Sequence, residues 1–172
     1  MLIRQYCEAD MGAIIDIWYE GWHSIDSKLV HPHSRTEWRD RWVSQITPKH
    51  EIAVAESDNE ILGFVTLNLE TSELSQLFTR LPEQGQGVGT ALINWVKNRC
   101  HKEIYLFTLE INYRSREFYE KHGFSRDWFV NQCNQRPSHG WIRVARHLII
   151  ACSWAWLCFY PTVIYTVRSR DV

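Results

Sequence analysis

Three of the chain's eight glycines fall within five positions, in the run Gln84, Gly85, Gln86, Gly87, Val88, Gly89. A loop of this kind between a strand and a helix leaves several backbone N–H groups unpaired, with the positive end of the helix dipole behind them. It makes a seat for phosphate oxygens. Glycine lets a ligand approach the backbone without meeting a Cβ. The pattern is not a Walker loop, because no Gly-Lys-Ser/Thr follows. Nor is it the dinucleotide GxGxxG, because the spacing is GxGxG and no βαβ unit with a ribose-binding acid comes next. Taken alone, the run favours the phosphate seat over its alternative, a plain strand-to-helix turn.

The elements around the loop decide how it is presented. Upstream, Glu73 to Thr79 is β-patterned and runs into the glycines. Downstream, Val88, Leu92, Trp95 and Val96 recur at helical spacing with Asn94, Lys97 and Asn98 opposite. Earlier still, residues 51–56 and 61–69 flank Ser57, Asp58, Asn59 and Glu60, which is hairpin chemistry. In the second run Ile61, Val65, Leu67 and Leu69 alternate with Thr66 and Asn68, predicting one buried face and one partly wet face. The N-terminus reads as a strand over Leu2–Tyr6. Asp10 then caps a helix carrying Met11, Ile14, Ile15, Trp18 and Trp22 on one face. A second helix is predicted over Thr36–Val43, carrying Trp38 and Trp42. After the glycine helix come a strand apolar on both faces (Ile104–Leu109), a short helix (Ser115–His122) stopped by Gly123, and a further strand from Ser125. The order is an α/β sheet, antiparallel at first and crossing over later.

A second cluster follows the Ile104–Leu109 strand: Asn112, Ser115, Phe118, Tyr119, Gly123 and Phe124, spaced Asn-x-x-Ser-x-x-Phe-Tyr-x-x-x-Gly-Phe. With the glycine loop, in this order and at this separation, it resembles the signatures of the GNAT superfamily of acyl-CoA-dependent N-acyltransferases. The resemblance covers residues 1 to about 130. It departs at Pro82-Glu83, one residue nearer to Gln84 than is usual, with Leu81 in the proline's place. It implies a mixed, mostly antiparallel central sheet with splayed central strands, flanked by helices.

The resemblance also implies roles. Gln84, Gly85, Gln86, Gly87, Val88, Gly89 and Thr90 would cradle the coenzyme A pyrophosphate through backbone N–H groups. The strand Gln76, Leu77, Phe78, Thr79 would pair with the pantetheine amides, and a backbone N–H near Leu77 to Thr79 would hold the oxyanion. Asn112, Ser115 and Tyr119 would face acetyl-CoA from the second signature, although Asn112 is equally read as a helix N-cap. Acyl transfer from a thioester to an amine needs a neutral amine, an oxyanion donor and a proton for the departing thiolate. Tyr119 is the implied proton donor, its alternative being a core ring beside Phe118. Glu70 and Glu73 bracket the third strand's entrance and are candidate bases, or else solvated turn residues. The acceptor pocket would be built by the first helices, with Trp18, Trp22 and His23 as its residues, unless those rings are core. The reading is thus an enzyme acetylating a primary amine of a small molecule or peptide. The alternative is a non-catalytic acyl-CoA or ligand sensor of the same fold.

Composition bounds the rest. The 172 residues suit one domain. Charged residues at 23% and hydrophobic residues at 45% exclude disorder and coiled coil, and a net charge of −1 gives no field for nucleic acid. Five Cys without CxxC spacing argue against a structural metal. With no apolar run at the N-terminus, they point to a cytoplasmic chain with reduced thiols. The acetyltransferase domain is expected over 1–134. Residues 135–172 are atypical: from Trp128 to Arg170 there is no acid, and 148–167 carries no charge. That tail reads as final strands, as cover for the sheet or for a homodimer partner, as a membrane anchor of minimal length, or as a shifted reading frame. Pro161, Ser153 and the mid-span Trp and Tyr residues weigh against the anchor.

Overall fold

In a computed structural model, which describes residues 1–28, 31, 33–130 and 162–167, with backbone alone for 127–130 and 162–167, the chain opens with β1 (Leu2–Gln5) and α1 (Met11–His23). Asp10 does not cap α1 with its side chain. Its carboxylate accepts from the Cys7 N–H at 2.8 Å and from Arg4 at 2.7 and 2.8 Å, so it closes the 3₁₀ turn Glu8–Asp10 and pins the helix start to β1. The Arg4 guanidinium holds this carboxyl below the usual carboxylate range. The helix predicted over 36–43 divides into α2 (Arg35–Arg41) and a π turn, Trp42–Ile46. Ser34 starts α2 with a capping box, its N–H donating to Glu37 at 2.7 Å. Arg35 ties α2 back to Asp16 and Glu20 of α1.

Strands β2 (Glu51–Ser57) and β3 (Glu60–Asn68) form the hairpin. Its tip fits the residue types, since Asp58 and Asn59 both take positive φ, 52° and 63°, as a two-residue loop requires. Then come β4 (Glu73–Thr79), α3 (Val88–Arg99), β5 (Ile104–Leu109), α4 (Tyr113–Lys121), β6 (Ser125–Val130) and β7 (Thr162–Val167). The sheet order is β1-β2-β3-β4-β5-β7-β6, antiparallel throughout except for β4 beside β5. The last six residues of the uncharged 148–167 run therefore form an inner strand. The remainder of that run, like most of the tail, lies outside the described residues. Among the described residues, no helix is long and apolar enough to cross a membrane.

The half-wet face predicted for β3 is not there. Phe64, Val65, Thr66 and Leu67 are all fully buried, because helices cover both faces of the sheet. Ala53, Ala55, Val65 and Leu67 pack under α3 with Leu92, Ile93 and Val96, while Ile52, Val54 and Phe64 pack under α1 and α2 with Trp18, Trp38 and Trp42. Two layers of helix sandwich one sheet, and the crossover helix α3 carries the chain from β4 to β5.

Candidate active site

Strands β4 and β5 meet at one register pair, Glu73 opposite Tyr105, next to a hydrogen bond from the Tyr105 N–H to the Ser72 carbonyl at 3.2 Å. Beyond it they part. On its other edge, β5 pairs along its whole length with β7, from Ile104 opposite Val167 to Leu109 opposite Thr162. On β4, the edge facing the opening from Ser75 to Thr79 has no strand partner among the described residues and is able to take an added strand of amides. A bulge in the β3–β4 register lies here, where Thr66 faces Gln76 but Leu67 faces Leu74, so Ser75 is the extra residue.

The glycine loop lies at the far end of β4. After the 3₁₀ turn Leu81–Glu83, Gly85 and Gly87 take φ of 85° and 87°, and a Cβ on either would meet no atom within 4 Å. That open side is where a ligand reaches the backbone. Gly87 caps α3 with no side chain, leaving the first-turn N–H groups aimed outward. The Gln86 side chain braces the loop by donating to the Pro82 carbonyl at 3.0 Å. Gly89 is close-packed instead, since a Cβ there would meet the Phe118 ring at 3.1 Å. His122 donates from Nδ1 to the Phe118 carbonyl at 2.7 Å, so its Nε2, 3.0 Å from Thr90 Oγ1, accepts the Thr90 hydroxyl hydrogen. Phe118 and His122 thus lock the loop's helix onto α4, a role the motif spacing does not reveal.

Asn112 is the N-cap of α4. Its Oδ1 accepts from the Ser115 N–H at 3.2 Å. Tyr119 is 7% exposed, its ring against Phe118 and Phe124 at 5.3 and 5.6 Å between centroids. Burial pushes its hydroxyl pKa up, so it stays protonated at neutral pH.

The two candidate bases separate. Glu70 is exposed on the β3–β4 turn. Glu73 is half-buried at the closed end of the opening, where burial raises its carboxyl while hydrogen bonds from Ser75 and Tyr105 oppose that rise; the Tyr105 hydroxyl lies 3.4 Å away. His50, just before β2, places Nε2 2.8 Å from Ser75 Oγ and Nδ1 3.0 Å from the Ile46 carbonyl. Burial lowers the His50 pKa, and Lys49 lowers it further.

Of the predicted acceptor residues, Trp18 is sealed at 1% exposure against Trp38 and Trp42 and backs the wall rather than lining it. Trp22 and His23 are half-buried, His23 packed at a tilt against Tyr19 and Trp22 edge-on to His23. His31 belongs to the same helix-and-loop stretch that the sequence offers for the acceptor pocket. Its ring stands 4.7 Å from Trp22, and its Nδ1 accepts from Trp38 Nε1 at 3.1 Å and the His33 N–H at 3.2 Å. Burial and the nearby His33 and Arg41 push its pKa down to about 4, so it is neutral at pH 7. On this same face of the sheet, Trp18 Nε1, Trp42 Nε1, Thr66 Oγ1 and Gln76 Nε2 are buried without a hydrogen-bond partner among the described residues.

Comparisons with known proteins agree with this geometry. The chain is 22% identical over 159 residues to an uncharacterised N-acetyltransferase of Methanocaldococcus jannaschii, covering 85% of this chain and 66% of that protein. It thus spans just under two thirds of that relative's length. The fold matches a Streptococcus mutans crystal structure with a TM-score of 0.71 at 14% identity, over 98% of this chain and 99% of that one. It also matches the PaiA N-acetyltransferase of Thermoplasma acidophilum in complex with coenzyme A, with a TM-score of 0.62 at 19% identity, over 73% and 90%. The acetyltransferase (GNAT) family model matches residues 13–124, which take in both signatures and the parted strands, and the chain belongs to that family.

Proposed function

We propose that the chain is an N-acetyltransferase that moves the acetyl group of acetyl-CoA to a primary amine of a small molecule or peptide, by direct attack with both substrates bound. The observation carrying this reading is the alignment of an unpaired β4 edge with an outward-facing N–H array at the start of α3. These residues fit coenzyme A, because the open sides of Gly85 and Gly87 admit a pyrophosphate and the β4 edge offers amides to a pantetheine arm. Bound acetyl-CoA supplies the activated acetyl thioester.

The chain's own residues do the rest. Backbone N–H groups over residues 84–90 bind phosphate, with Thr90 positioned by His122. A β4 N–H near Leu77 to Thr79 receives the carbonyl oxygen as charge develops on it. Tyr119, kept protonated by burial, gives a proton to the departing sulfur. Glu73 is the base; Glu70, exposed on its turn, is the weaker choice. Burial raises Glu73's basicity, so it takes an amine proton more readily than a solvated carboxylate does. Trp22 and His23 line the acceptor side with Trp18 behind them, and neutral His31 adds to an aromatic wall suited to a cationic amine.

The test is thiol release from acetyl-CoA against a panel of polyamines, amino acids and N-terminal peptides, with coenzyme affinity read by calorimetry. Turnover with any amine supports the enzyme. Tight acetyl-CoA binding with no turnover across the panel favours a sensor.

A further inference from the structure

Resting on the proposed function, we propose that His122 takes up a proton as coenzyme A docks, and so turns the Thr90 hydroxyl hydrogen toward the pyrophosphate. Counting hydrogens fixes the resting arrangement. The Phe118 carbonyl can only accept, so His122 Nδ1, 2.7 Å away, carries a hydrogen, and in the neutral ring Nε2 is left as an acceptor. The Thr90 hydroxyl, 3.0 Å from Nε2, therefore gives its one hydrogen to His122. Thr90 is exposed in the first turn of α3, ahead of Ala91, whose N–H makes the first bond of the helix ladder, to the Gly87 carbonyl at 3.0 Å. The N–H groups of that turn attract an oxyanion, and the hydroxyl beside them has its hydrogen turned the wrong way for one.

A proton on Nε2 reverses the direction of that hydrogen bond. The proton comes from the buffer, the imidazole becomes imidazolium, and Nε2–H donates to Thr90 Oγ1. The Thr90 hydroxyl then rotates about its Cβ–Oγ bond and gives its hydrogen to a phosphate oxygen. No bond between heavy atoms changes, and the proton gained by His122 is the one the buffer loses. The ring need not move, because it is held from three sides. Its Nδ1–H is on the Phe118 carbonyl, its face lies 4.2 Å from the Phe118 ring, and its own main-chain carbonyl accepts from Lys97 Nζ at 2.8 Å. The surrounding charges leave room for a ligand to decide the outcome. Helix α3 contains no acid, and its Lys97 opposes a second positive charge here, as does Lys121 next to His122 in the chain. Helix α4 carries Glu117 and Glu120, with Arg114 and Arg116 toward its start, and its C-terminal end, where His122 is the C-cap, favours a cation. An anion at the start of α3 adds the negative charge that α3 itself lacks. His122 acts through Thr90 and is a positioning residue.

The experiment uses the full chain with Thr90→Val, Thr90→Ser and His122→Ala, and titrates each with coenzyme A by calorimetry, in buffers of different ionisation heat, from about pH 6 to about pH 8.5. Wild type should take up a proton on binding, and its affinity should fall about tenfold across that range, the change that follows when binding raises one midpoint by about one pH unit. The bound midpoint is the higher one, so binding is tightest below the free midpoint and the gain is lost as pH rises through the bound one. Thr90→Val and His122→Ala should lose this uptake and this pH dependence, binding about tenfold more weakly than wild type at low pH. Thr90→Ser keeps the hydroxyl and should retain both. The 3′-phosphate of coenzyme A also titrates near this range, so the same titrations with dephospho-coenzyme A isolate the pyrophosphate and should give the same differences between variants. In ¹⁵N-edited NMR the His122 midpoint should rise on binding in wild type and hold in Thr90→Val. Equal proton uptake in wild type and Thr90→Val overturns the proposal, as does a His122 midpoint that coenzyme leaves unmoved, or a difference that vanishes with dephospho-coenzyme A. If the wild-type chain binds no coenzyme A, the proposed function fails and this inference with it; binding with the same proton uptake in every variant removes this inference alone.

Discussion

The two faces of the sheet are built from different materials. Under α3 and α4 the core is mostly aliphatic among the described residues, with Val65, Leu67, Leu92, Ile93 and Val96 fully buried beside the rings of Tyr119 and Phe124. Under α1 and α2 it is aromatic, with Trp18, Trp38, Trp42 and Phe64, and it holds buried polar atoms of Trp18, Trp42, Thr66 and Gln76 that have no partner among the described residues. Close-packed branched side chains fix α3 against the sheet, and the N–H groups at its start inherit that rigidity. The proposed coenzyme site, common to every acceptor, sits on the rigid face. The other face, where the acceptor is proposed to bind, carries buried donors without a partner among the described residues and mutually tilted rings.

The contrast breaks most sharply at the loop. Gly87→Glu puts bulk and negative charge on the open side where phosphate oxygens are proposed to sit, at a φ of 87° that glutamate rarely adopts. Acetyl-CoA binding by calorimetry should be lost, while circular dichroism stays close to wild type because nothing in the core is touched. Undiminished affinity would remove the pyrophosphate assignment. Next in size, Leu92→Ala on the aliphatic face should cost about 2–5 kcal/mol in denaturant unfolding, the transfer and cavity terms together. A cost under 1 kcal/mol would mean that this face is looser than its packing indicates.

Much of this architecture was legible beforehand, because its signals are local. The Asp58-Asn59 tip, the glycine punctuation before Val88 and the αL stop at Gly123 each act within a few residues, and the elements they bound fall where the sequence places them. What could not be read is set by contacts distant in sequence. Thr66 looks like a wet-face residue until both helix layers are in place. Trp18 and Trp22 share a helix face, yet only the packing of Trp38 and Trp42 decides that the first is core and the second rim. The His50–Ser75 contact spans 25 residues and depends on a bulge that no residue type announces. The placement of β7 between β5 and β6 likewise follows from spatial order rather than chain order.

Tyr119 tests whether the aliphatic face is purely structural. Tyr119→Phe keeps the ring against Phe118 and Phe124 and removes one oxygen, so stability should change by about 1 kcal/mol or less. If the hydroxyl supplies the thiolate's proton, kcat and kcat/KM should fall together by ~10²-fold, the lower end for a positioned acid because a thiolate leaves readily, with acetyl-CoA affinity unchanged. A loss below about threefold would make Tyr119 a core ring and leave that face without chemistry of its own.

The smallest effect sharpens the contrast from the other side. Gln76 is 5% exposed, and its Nε2 has no partner among the described residues, an arrangement that costs about 1–3 kcal/mol relative to a satisfied or apolar side chain. Gln76→Met preserves length and most of the volume while deleting the orphaned donor, so the folded state should gain about 1 kcal/mol, visible as a higher denaturant midpoint at unchanged m. The same substitution should raise KM for the accepted amine more than it lowers kcat, because a donor beside the acceptor side acts on ground-state and transition-state binding alike. Gain of stability with loss of acceptor affinity is the signature of a polar group kept for binding at the expense of the fold. Lower stability in Gln76→Met would instead show that Gln76 is a structural residue and that the aromatic face is a core like its counterpart.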